Sequence, residues 1–97
     1  MGVDVQGPKP LDTHPGEEIV GWAREQLHIA RSILDNPGGG LLFATQTIGQ
    51  VKAGLAERDS QRWTDAVRLL DGAEDAGVHR DFDEARALVD QAIAKLG

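Results

Sequence analysis

The sequence predicts an all-α chain: a small antiparallel bundle of about four helices over residues 15–97, preceded by a flexible N-terminal arm at residues 1–14. Three observations predict it. Apolar residues recur at steps of three and four in four separate segments, the spacing of one helix face. Between those segments lie the Pro, Gly and Asp residues that stop and start helices. The 40% apolar content is carried almost entirely by Leu, Ile, Val and Ala, because the aromatics reduce to Trp22, Trp63, Phe43 and Phe82. Such an interior suits close helix packing better than a sheet, whose strands favour aromatic and β-branched residues. At 97 residues the chain makes a single domain.

The arm carries Pro8, Pro10, Gly2 and Gly7 and no sustained periodicity. A first helix begins at His14 or Pro15, where proline is tolerated, with Glu17 and Glu18 at the positive end of its dipole. It runs to about Asp35. Ile19, Val20, Ala23, Leu27, Ala30 and Leu34 share one face, flanked by Trp22, Ile29 and Ile33, so the apolar surface covers about half the circumference. Arg24, His28, Arg31 and Asp35 lie opposite. Asn36-Pro37 ends the helix, since a residue before proline avoids helical torsions.

The second helix runs from Leu41 to about Glu57. Leu41, Ala44, Ile48, Val51 and Leu55 form a heptad seam, and Lys52 is the one charge between Leu41 and Ala56. A helix so poor in charge is central to the bundle or paired across an interface. Thr45, Gly49 and Ala53 make a low ridge open to a close neighbour. Asp59 or Ser60 caps a third helix reaching about Ala76, with Trp63, Ala66, Val67, Leu70 and Ala73 as its seam and Gly77 as a left-handed stop. Asp81 opens the fourth with Glu84 three residues on, the spacing of a capping box, ahead of Phe82, Ala85, Leu88, Val89, Ala92, Ile93 and Leu96.

Composition excludes several functions. Sixteen acids against ten bases give a net charge of −6, and no basic patch offsets it, so nucleic acid is not an expected partner. There is no cysteine to form a disulfide, bind metal or act as nucleophile. No apolar run is long enough to span a membrane, and the first residues lack the pattern of a signal peptide, so the expected location is cytoplasmic. Arg outnumbers Lys, and Ala, Gly and Asp are frequent, a usage similar to that of high-GC bacteria.

Gly38-Gly39-Gly40 raises the question of a phosphate cradle. A Walker loop needs Lys-Ser/Thr after its glycines; here Leu41-Leu42 follows, so the triplet reads as a joint between helices, or a hinge for swapping the first helix into another subunit. His14, His28 and His79 are scattered, and His28 and His79 stand near arginines, so neither metal nor other cofactor is expected. The acids of Asp81–Glu84 serve as cap and dipole partners. No nucleophile signature surrounds Ser32 or Ser60, and no enzyme is expected.

What remains is a non-enzymatic interaction module: self-associating, adaptor or regulatory, a homo-oligomer or bound to a protein partner. Trp22, Ile29, Ile33, Ile48 and Val51 are the candidate contact residues, with ordinary core as the alternative reading of each. A second reading is a small-molecule pocket lined by Thr45, Gln46, Gly49 and Gln50, whose uncharged polar groups can orient a ligand. A third rests on Asp59-Ser60 at a helix start in a small acidic helical chain. That resembles the acyl carrier proteins, whose Asp-Ser-Leu serine accepts phosphopantetheine, although Gln61 stands in place of the leucine and Arg58 precedes the pair. The resemblance implies modification at Ser60.

Overall fold

The computed structural model describes residues 16–96. Four helices follow one another: α1 (Gly16–Asp35), α2 (Leu41–Asp59), α3 (Thr64–Val78) and α4 (Phe82–Leu96). There is no strand among the described residues. The expected arm, and the first helix's start at His14 or Pro15, lie outside them.

Each helix packs on two neighbours, α1 on α2 and α4, and α3 on α2 and α4. The seams read from periodicity converge: Leu27 and Leu34 of α1, Ile48 and Leu55 of α2, Leu70 of α3 and Val89 of α4 are wholly buried in one core. Eight of the eighteen buried apolar residues are alanines, which lets the helix axes approach closely. Positions that climb along α2 descend along α3: Thr45 reaches Gly77, Gly49 faces Glu74, and Lys52 bonds Asp71 at 2.9 Å. The same holds between α1 and α4, where Arg31 bonds Asp90 at 2.9 Å and Arg86 donates to the Leu34 carbonyl at 3.1 Å.

The glycine triplet is a joint with steric reasons. Gly38 sits at φ +47°, a backbone region that favours glycine. A side chain on Gly40 would lie 2.9 Å from Ile33 Cγ2, so α1 and α2 close on each other only over a bare backbone.

Two helix ends depart from expectation. α3 begins at Thr64, not at Asp59 or Ser60, because α2 continues through Asp59 and residues 60–63 form a turn. Asp59 Oδ1 accepts the Arg62 amide at 3.1 Å and the Thr64 hydroxyl donates to the Ser60 carbonyl at 2.6 Å, so these polar groups hold the turn and cap no helix. Nor does Gly77 stop α3. The left-handed residue is Arg80, at φ +64°, and the reversal closes with Arg80 N–H on the Gly77 carbonyl and Asp81 N–H on the Ala76 carbonyl. Gly77 instead lies buried beneath Thr45 Cγ2, a close approach any Cβ would tighten to 3.1 Å. At α4, Asp81 Oδ1 does accept the Glu84 amide, at 3.3 Å, as the capping spacing requires.

Candidate contact surface

α2 turns one stripe inward and two flanks toward neighbours. Ala44, Ile48, Val51 and Leu55 are buried, together with Thr47, whose hydroxyl satisfies itself on the Phe43 carbonyl at 2.8 Å. Toward α3, Lys52 joins Asp71 at 2.9 Å and Glu74 at 2.8 Å. Those two carboxylates, Glu74 first, raise the Lys52 ammonium above its ordinary pKa.

The remaining face of α2 points outward and carries Leu42, Phe43, Gln46, Gln50 and Ala53, all exposed. Leu42 is 68% exposed and Phe43 56%, values that leave two large apolar side chains in water one beside the other. Val78, 65% exposed, belongs to the same end of the molecule, since its neighbour Gly77 packs on Thr45 and Leu41. Single exposed apolar residues are ordinary, but here two adjacent ones stand on a face without charge and leave apolar surface uncovered. Burying a Leu or Phe side chain contributes about 1.5–3 kcal/mol, so this pair is a substantial unused driving force.

The residues singled out from sequence distribute unevenly. Ile48 and Val51 are 0% exposed and belong to the chain's own core, which is the alternative the sequence left open for them. Trp22 and Ile33 are half-buried against that core, and Ile33 also covers Gly40. Ile29 is 43% exposed, on the outer side of α1 with Arg24, Glu25 and His28. Thr45, Gln46, Gly49 and Gln50 divide between two faces. The Thr45 hydroxyl is used on the Leu42 carbonyl at 2.9 Å and Gly49 lies under the Glu74 carboxylate, while Gln46 and Gln50 look outward.

The groove that α2 shares with α3, of about 510 Å³, begins a turn later, along Lys52, Ala56, Ser60, Thr64, Val67 and Arg68. Ser60 is exposed at its edge, four residues before α3 begins. His79 Nδ1 lies 2.9 Å from the Asp75 carbonyl, and His28 is exposed on α1. None of the described helices is long and apolar enough to cross a membrane.

Leu42, Phe43 and Val78 escaped the reading of the sequence. The signal for the first two was present in the charge-poor run of α2, but the heptad seam drew attention to the face opposite theirs. Val78 was hidden by placing the end of α3 two residues early.

No protein-family model matches this chain. Comparison with curated proteins and with solved structures likewise finds no significant match.

Proposed function

We propose that this chain is a non-enzymatic protein-interaction module whose contact surface is the outer face of α2. One observation carries the reading: α2 has no charged residue before Lys52, yet Leu42, Phe43, Gln46 and Gln50 on that stretch are exposed. A helix with neither a charged face nor complete burial has surface left for a partner. The candidate contacts therefore pass from Ile48 and Val51 to Leu42 and Phe43, with Val78 at the rim.

Photo-cross-linking inside the host cell tests this. A cross-linking amino acid at position 43 is expected to give a discrete protein adduct, and the same group at Glu84 on α4 is expected to give none. Absence of an adduct at position 43, or equal labelling at both positions, overturns the reading.

A further inference from the structure

We propose that the partner on this face is a second copy of the chain, with the two α2 helices crossing in opposite directions about a two-fold axis between Gln46 and Gln50. The inference rests on the interaction reading above and adds to it the identity of the occupant. Three features of the face support it.

The first is charge. Each copy carries a net −6, so two copies repel wherever their charged surfaces meet. The exposed side chains of α3 and α4 include Asp65, Arg68, Asp71, Asp75, Asp83, Glu84 and Asp90; the outer face of α2 from Leu42 to Ala53 has no ionisable group. That stretch is where like-charged copies approach with least repulsion.

The second is spacing. The exposed stripe Phe43, Gln46, Gln50, Ala53 advances by three, four and three, and so reads the same from either end. In a two-fold crossing centred on it, Phe43 falls opposite Ala53 of the partner subunit, a large side chain against a small one. Gln46 falls opposite Gln50 of the partner subunit. Glu57, the next position on the stripe, lies past the start of the partner subunit's α2, which begins at Leu41. A self-complementary patch of this kind is what a two-fold interface requires.

The third is the chemistry of the central pair. An amide both donates and accepts, so two glutamines satisfy each other across the axis, whereas two carboxylates or two ammonium groups do not. The neighbouring hydroxyls of Thr45 and Thr47 are bonded to their own helix and leave no competing group.

Sedimentation velocity of the purified full chain over a range of concentration is the test, with circular dichroism to verify folding. The unaltered chain is expected to sediment as a monomer–dimer equilibrium. The variant Q46E/Q50E places four carboxylates about the axis and is expected to weaken dimerisation by about tenfold or more. The variant Q46E/Q50K sets each glutamate opposite a lysine in the other copy and is expected to restore association to within about threefold of the unaltered chain. Both substituted positions are exposed, so helicity is expected to persist. A chain monomeric at every concentration, or a dimer indifferent to Q46E/Q50E, overturns the proposal. If the chain is monomeric while position 43 still cross-links to a different protein in cells, the second-copy assignment fails and the interaction module stands. If neither association nor cross-link occurs, both fail.

Discussion

α2 and α4 occupy equivalent places in the architecture, each packed on two neighbours, yet their sequences obey different constraints. α4 carries the full set of local signals: Asp81 caps it, Asp83 and Glu84 occupy its first turn, and Lys95 its last. Its outer face holds Asp83, Glu84, Asp90 and Gln91, and the inner holds Ala85, Val89 and Ala92. Burial within one chain accounts for every one of those choices. α2 has no side-chain cap and no acid in its first turn, and it contains Gly49 and Gly54, each about 1 kcal/mol poorer than alanine in a helix. It is held by packing, and its outer face is uncharged where folding alone would permit any soluble residue. The difference teaches that the fold explains α4 completely and leaves part of α2 unexplained.

The largest effect that bears on this contrast is in the core. Ile48→Ala is expected to lower unfolding free energy by about 3 kcal/mol, as full burial implies, while Gln46→Ala on the outer face changes it by less than about 0.5 kcal/mol. Urea denaturation at low protein concentration measures both. Equal losses at the two positions would break the division of α2 into inner and outer faces.

Capping comes next. Asp81→Ala is expected to cost about 1 kcal/mol through loss of the bond to the Glu84 amide. α2 has no comparable side chain to remove, so a loss near zero at Asp81 would erase the distinction between a helix started by local signals and one held by packing. A smaller gain is expected from Arg80→Gly. Relief of the φ +64° backbone is worth up to about 1 kcal/mol, offset by about 0.5 kcal/mol for the guanidinium placed 5.8 Å from the Phe82 ring. The melting temperature should rise slightly; a fall would mean that the contact with Phe82 outweighs the backbone.

The smallest effect concerns the one cation of α2 before its last turn. Hydrogen bonds that Lys52 donates to Glu74, and next to Asp71, raise its folded-state pKa above 10.5. The pairing therefore stabilises fully below the unfolded lysine value, and its contribution is lost as pH rises through the folded value. Melting temperature should decline above about pH 10.5, and Lys52→Met should shallow that decline while costing no more than about 1 kcal/mol at neutral pH. An unchanged alkaline slope in the variant would remove Lys52 as the link between α2 and α3.

What the sequence disclosed follows from the range of the forces involved. Leu27, Ile48, Leu70 and Val89 were legible as core because a helix repeats every 3.6 residues and the pattern is local. Asp81 was legible because a cap acts over three residues. The start of α3 was not: Asp59-Ser60 has the chemistry of a cap, but whether α2 ends there depends on how Trp63 is buried against the other helices. Gly77 resembled a stop, and its real use, admitting the Thr45 methyl, depends on a residue thirty-two positions away. The proposed contact face was half legible. The lack of charge on α2 was plain, but only the packing shows that Leu42 and Phe43 are left on the outside.

The abundance of alanine in the interior makes enlargement as dangerous as truncation. An alanine gives up no side-chain rotamers on burial, so Ala30, Ala44, Ala73 and Ala92 enter the core at little entropic cost and set how near the helices come. Trimming such a residue to glycine removes one buried methyl group and costs about a further 1 kcal/mol of helix propensity. Enlarging it to valine or leucine forces side chains off their rotamers and shifts the backbone at that crossing, at about 1–3 kcal/mol, because a close-packed interior leaves little room for the added carbons. In this chain the core alanines resist change in both directions, and the small residues that look most dispensable are the ones that fix its dimensions.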